Sequence, residues 1–170
     1  WGTSEWSADQ IEQAFKIANK NYLTPPTMEQ PQYNLLNRDR FENEYKPIFE
    51  KYSMGTTIWS PLCSGILTGK YKNGIPKDAR FSIESYKWLW EKFKEDGIEK
   101  EFTKIEKFCE LANELKLTPA QLAIKWCLNN SNVSTVILGA SNLEQLKENL
   151  DSINLINHNI DFKKIEKLFE

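Results

Sequence analysis

Ile11, Ala14, Phe15, Ala18 and Tyr22 recur at steps of three and four, the spacing of one face of an α-helix. Ser7 and Gln10 precede them at capping-box spacing, a hydroxyl followed three residues later by an amide. Pro25–Pro26 stop the pattern. The stretch 27–33 reads as extended, with Pro31 limiting the ladder. A second helix is expected around 40–51, and 55–59 is a short β-prone run ended by Ser60–Pro61. The segment from there to about Phe81 carries Gly65, Gly69, Gly74 and Pro76, has no periodicity and reads as a loop.

Phe102, Ile105, Phe108, Cys109, Ala112 and Leu115 mark an amphipathic helix. Thr118, Pro119 and Gln121 open another with an N-cap, a proline at the first turn and a capping amide. A strand over 133–138 turns at Gly139–Ala140 into a helix over 142–150, where Ser141 and Glu144 fit a capping box. The last helix is expected over 161–169. Strand alternates with helix three times, which implies a parallel sheet with crossover helices, an α/β fold.

Charge narrows the function. The 22 Lys+Arg nearly balance 24 Asp+Glu, so nothing is left over to bind a phosphate backbone in bulk, and nucleic acid is not an expected partner. Mean hydropathy is −0.58 and no apolar run approaches the ~20 residues of a membrane span. Cys63, Cys109 and Cys127 lack CxxC spacing, which argues against a disulfide framework and a cysteine zinc site and for a reducing, cytoplasmic setting. The one histidine, His158, reads as a loop residue in the polar stretch 154–159. The chain opens on Trp1 without a visible signal peptide and is expected to be a fragment.

The candidate chemistry lies at strand ends. A helix N-terminus after Gly139–Ala140 suits a phosphate, with the Ser141 hydroxyl as a donor and Gln145 and Glu148 on the same face. The same residues also serve an ordinary capped helix start. Trp59 at a strand's carboxyl end can stack on a flat ring or simply pack beside a turn. Lys70 and Arg80 on the glycine-rich loop can clamp a polyphosphate or stand solvated. Ser4 and Gln30 follow two other strands, where parallel sheets bind ligands. Tyr86, Trp88 and Trp90 are expected to form an aromatic cluster against the adjacent helix. No carboxylate pair stands out as acid and base.

Six motifs in order then resemble the aldo-keto reductases: 1–4 (WGTS), Glu29–Gln30, 59–62 (WSPL), 65–71 (GILTGKY), 74–76 (GIP) and 138–149 (LGASNLEQLKEN). The branch containing the β subunits of voltage-gated potassium channels is the most similar. The resemblance implies the carboxyl-terminal half of a (β/α)₈ TIM barrel, from about the end of strand five through strand eight plus a C-terminal helix. Residues 1–170 would form one partial domain, an NADPH-binding half-barrel without the amino-terminal half. By resemblance, Ser4 and Gln30 hold the nicotinamide carboxamide and Trp59 packs on the ring. Ser60, Leu62 and Ser64 line the pyrophosphate with Lys70, while Arg80, Ser141 and Gln145 take the 2′-phosphate side. Glu148 and Asn149 contact the adenine.

Two departures stand out: Glu5, where the channel subunits have a basic residue, and Asp78 in the clamp loop. The family's catalytic Asp, Tyr, Lys and His come from the first four strands, so no residue here is assigned to catalysis or to a metal, and the chain alone is expected to be inactive. The parent is expected to reduce aldehydes or ketones. The alternatives are a redox-sensing channel β subunit, which adds a channel's cytoplasmic domain as partner, and an inactive NADPH-binding module. Open sheet edges imply a homo-oligomer or pairing with the amino-terminal half.

Overall fold

The computed structural model describes residues 1–154 and 160–170, so His158 lies outside the described residues. In chain order the elements are β1 (Gly2–Thr3), α1 (Ala8–Lys20), β2 (Met28–Glu29), α2 (Lys46–Tyr52), β3 (Gly55–Ile58), α3 (Lys87–Glu95), α4 (Phe102–Glu114), α5 (Pro119–Asn129), β4 (Thr135–Val136), α6 (Leu143–Asp151) and α7 (Phe162–Leu168). The strands form one parallel sheet in the order β1-β2-β3-β4, so the architecture is α/β. No helix among the described residues is long and apolar enough to cross a membrane. The chain divides into two compact units, Trp1–Pro61 with Trp126–Ala140, and Leu62–Lys125 with Ser141–Glu170.

The first unit holds the whole sheet. β1 and β2 approach closely because Gly2 faces Met28: a Cβ on Gly2 would stand 2.6 Å from the Met28 carbonyl oxygen. β2 ends before Pro31, which lacks a ladder N–H, and an isolated bridge from Gln32 to Trp59 resumes the pairing. The capping box of α1 forms as expected. Gln10 N donates to Ser7 Oγ at 3.2 Å, and Ser7 N donates to Gln10 Oε1 at 2.9 Å. Ile11, Phe15 and Ala18 are buried. Tyr22 is not on that face: the helix stops at Lys20, and Tyr22 is exposed at φ 57°. Over 40–51 a π-helical turn, Arg40–Glu44, precedes α2. The expected strand over 133–138 is only Thr135–Val136.

The core of this unit is aromatic. Tyr33 stacks on Phe41 with ring centroids 4.2 Å apart and lies 4.9 Å from Trp126. Glu12 on α1 reaches Lys51 Nζ and Tyr52 Oη on α2, both at 2.7 Å. The Lys51 bond, followed by that from Tyr52, holds the Glu12 carboxyl down at about 2. A depressed carboxyl contributes stability above its unfolded pKa, and that contribution disappears as pH falls through about 2.

Glu29 has the opposite sign. It is fully buried on β2, accepts the Thr3 hydroxyl at Oε2 and leaves Oε1 without a hydrogen bond. Burial raises its pKa, against the lowering effect of Thr3 and of the Glu5 and Trp6 backbone. Its neutral form therefore favours the fold below the unfolded pKa, and this benefit is lost as pH rises through the raised value. Glu29→Gln is expected to unfold at higher urea than the parent at neutral pH, with the gap closing near pH ~4. Equal midpoints at both pH values would contradict this.

In the second unit the stretch from Leu62 to Phe81 is not plain loop. Cys63–Thr68 forms 3₁₀ turns broken by non-helical Ser64 and Gly65. Helix α3, not foreseen from the sequence, contains Trp88 and Trp90 of the three residues expected to cluster, and Tyr86 immediately precedes it. Only Trp90 clusters, 5.1 Å from Phe81 and 5.7 Å from Tyr71. Trp88 is exposed, and Tyr86 instead lies under Arg80. Ile105, Phe108, Leu111 and Ala112 bury one face of α4, and Phe108 meets Phe169 edge-on. Thr118 and Gln121 form the expected capping box on α5.

Candidate functional site

In the first unit the parallel sheet puts the residues after β1, β2 and β3 at one end of the sheet, the carboxyl ends of its strands. Ser4 Oγ donates to the Gln30 carbonyl at 2.9 Å, and Gln30 Nε2 donates to Thr57 Oγ1 at 3.4 Å. The two residues expected to hold an amide are thus joined. Ser60 takes φ 57°, and its carbonyl accepts from Asn34 Nδ2 at 2.9 Å. Trp59 is 36% exposed, and its indole N–H donates to Glu5 Oε1 at 3.0 Å.

Glu5 is the residue whose role the sequence did not reveal. It sits at φ 58° and accepts the Gln32 N–H at 2.5 Å on Oε1. Its Oε2 pairs with Arg40 at 2.8 Å. The Glu5 carboxylate is thus engaged by a guanidinium, an indole and a backbone amide.

In the second unit Cys63, Ser64 and Gly65 take left-handed φ of 47°, 56° and 89° in succession, directly after Leu62. Lys70 folds back over this turn: a Cβ on Gly65 would lie 2.7 Å from Lys70 Nζ. Arg80 Nη1 approaches the Ser64 hydroxyl at 3.5 Å, with the guanidinium 5.5 Å from the Tyr86 ring centre. Partial burial, then the charge of Arg80, lowers the Lys70 pKa. Neither cation has a carboxylate partner among the described residues, and Asp78 forms no ion pair with Arg80. Two cations that repel each other beside a left-handed turn favour an anion between them.

A cavity of about 320 Å³ lies behind this loop, lined by Ile66, Gly69, Lys70, Phe102, Ile105 and Cys109 among others. Burial raises the Cys109 thiol pKa, with Glu106 adding to it, so this is not an activated nucleophile.

At the start of α6 the N-cap is Asn142, not Ser141, because Asn142 Oδ1 accepts the Gln145 N–H at 2.9 Å. Ser141 N and Oγ instead both donate to Gln145 Oε1 at 3.0 Å, bringing together another expected pair. Glu148 is half-buried, with its carbonyl taking a bond from Gln121 at 3.4 Å, and Asn149 is buried.

The aldo/keto reductase family model matches residues 1–170, the whole chain. The chain belongs to the aldo/keto reductase family. Among its relatives is a probable voltage-gated potassium channel subunit beta of Oryza sativa subsp. japonica, 46% identical over 157 residues. That alignment covers 92% of this chain and 47% of the relative. A probable channel subunit beta of Arabidopsis thaliana is 45% identical over 157 residues, with the same two shares. A putative one of Schizosaccharomyces pombe (strain 972 / ATCC 24843) is 45% identical over 156 residues, covering 92% of this chain and 45% of the relative. The aldo/keto reductase chain described here therefore spans about half the length of these relatives.

Proposed function

We propose that this chain is the NADPH-binding half of an aldo/keto reductase whose longer parent reduces aldehydes or ketones to alcohols. The observation that carries the reading is the Ser64–Gly65 turn with Lys70 and Arg80 beside it and, among the described residues, no carboxylate neutralising either cation. This chemistry fits a pyrophosphate and a 2′-phosphate. The four-strand parallel sheet and the half-length match support reading the chain as strands five to eight of a (β/α)₈ barrel.

NADPH, when bound, supplies a hydride to the carbonyl carbon. The chain's own part is to bind and orient. Lys70 and Ser64 neutralise and hold the pyrophosphate, with Ser60 and Leu62 beside it. Arg80, Ser141 and Gln145 take the 2′-phosphate; the Ser141 donors now given to Gln145 serve a phosphate oxygen equally well. Ser4 and Gln30 bond the carboxamide, Trp59 covers the ring, and Glu148 and Asn149 take the adenine end. The family's catalytic Asp, Tyr, Lys and His belong to the parent's preceding half. The parent is expected to oxidise NADPH when an aldehyde is added, while this chain alone does not. A parent that turns over NADH as readily as NADPH would sink the reading.

The names of the relatives favour a second reading, a regulatory subunit that reports cofactor redox state to a potassium channel. It predicts that the parent co-purifies with a channel's cytoplasmic domain from detergent-solubilised membranes. Carbonyl turnover without such co-purification would leave the enzyme reading alone.

A further inference from the structure

We propose that Glu5 is the positioning residue of the Trp59 ring. The inference rests on reading Trp59 as the surface on which the cofactor's flat ring stacks. The Trp59 backbone is fixed: its N–H donates to the Pro31 carbonyl at 3.0 Å, and its own carbonyl accepts from Tyr33 N at 3.3 Å. The side chain, by contrast, is exposed, and an exposed indole has rotamer freedom that a stacking ligand must remove on binding. The indole N–H bond to Glu5 Oε1 at 3.0 Å removes that freedom beforehand.

Glu5 is itself held at several points. Arg40 grips Oε2 at 2.8 Å, and the Gln32 N–H meets Oε1 at 2.5 Å. Arg40 Nε also reaches Glu44 Oε2 at 3.3 Å, and Glu44 Oε1 accepts the N–H of Ala8, the first residue of α1, at 2.9 Å. A chain of charged hydrogen bonds thus runs from the start of α1 to the indole, each member's second bond orienting the first. The residue type at position 5 is decisive. An indole N–H only donates, so its partner must accept; lysine and arginine offer donors alone. As a surface ion pair with Arg40, Glu5 would contribute only ~0–1 kcal/mol to stability. A purely structural role therefore predicts little effect on ligand binding.

The test compares Glu5→Ala and Glu5→Gln with the parent chain. The Trp59 indole N–H resonance is assigned by its loss in Trp59→Phe. It should be downfield and slow to exchange in the parent, lost to solvent in Glu5→Ala, and retained in Glu5→Gln, whose amide oxygen still accepts. NADPH affinity should fall roughly five- to tenfold in Glu5→Ala and recover in Glu5→Gln. Affinity for 2′,5′-ADP, which has no nicotinamide, should be the same in all three. An indole resonance unmoved by Glu5→Ala overturns the proposal, as does an equal loss of NADPH and 2′,5′-ADP binding. If the parent chain binds neither ligand, the cofactor reading fails, and the indole resonance still decides whether Glu5 sets the ring.

Discussion

Trp126→Ala is expected to destabilise the chain by about 3–5 kcal/mol, a large share of the ~5–15 kcal/mol that holds a typical domain together. Trp126 is 3% exposed and lies 4.9 Å from Tyr33, with the Arg38 guanidinium 5.6 Å from its ring. Tyr33 stacks on Phe41 and is tied through its hydroxyl to Glu42 at 2.8 Å and Asn130 at 3.0 Å. Removing the indole opens a cavity beside a tyrosine whose polar tip is already committed, so Tyr33 cannot collapse into the space without breaking those bonds. Tyr33 N also bonds the Trp59 carbonyl, so the loss extends to the edge of the sheet that carries the candidate site. Urea denaturation followed by circular dichroism checks the figure, with Trp126→Phe expected to lose less. A loss under ~1 kcal/mol would mean that the site collapses freely, contrary to this packing.

Arg80→Ala is expected to weaken NADPH binding by about ten- to a hundredfold and to leave NADH nearly unchanged. Arg80 is exposed and has no carboxylate partner among the described residues, so an incoming phosphate gains its charge without breaking an ion pair there. Tyr86 supports the guanidinium from one face, and Ser64 fixes its direction. Arg80→Lys should fall between, keeping the charge and losing the planar fork. Because the side chain is exposed, the folded stability of Arg80→Ala should match the parent within ~0.5 kcal/mol, which separates binding from folding. Calorimetric titration at two salt concentrations checks the affinities, since a charge-driven contact weakens as salt rises, and urea denaturation checks the stability. Equal losses for NADPH and NADH would remove Arg80 from the 2′-phosphate.

The parts of the fold that could be read from sequence are those set by local rules. Ser7 with Gln10 and Thr118 with Gln121 form the caps their spacing calls for, because each uses only neighbours on one turn. The same rule misplaced the cap of α6: Asn142, not Ser141, caps the helix by accepting the Gln145 N–H, while Ser141 donates to the Gln145 side chain. Helix α3 was hidden by its aromatics, which read as a cluster although Trp88 faces solvent. The left-handed run Cys63–Ser64–Gly65 was half visible, since only its last member is a glycine. Glu5 could not be placed from sequence. Its partners Arg40 and Trp59 lie 35 and 54 positions away; the parallel pairing of β1, β2 and β3 brings Trp59 to it, and the π-helical turn before α2 brings Arg40. The candidate residues Ser4, Gln30, Trp59, Lys70, Arg80, Ser141 and Gln145 came from their places at strand ends, on the glycine-rich loop and at a helix start, and the structure adds the pairings Ser4–Gln30, Ser64–Arg80 and Ser141–Gln145.

If this chain carries the phosphate-binding chemistry proposed for it, it discriminates NADPH from NADH. Parallel calorimetric titrations of NADPH and NADH into the chain test it most directly. Saturable binding of NADPH, at least tenfold tighter than NADH, is the predicted result. Equal binding of the two, or binding of neither by a chain shown to be folded, would contradict it.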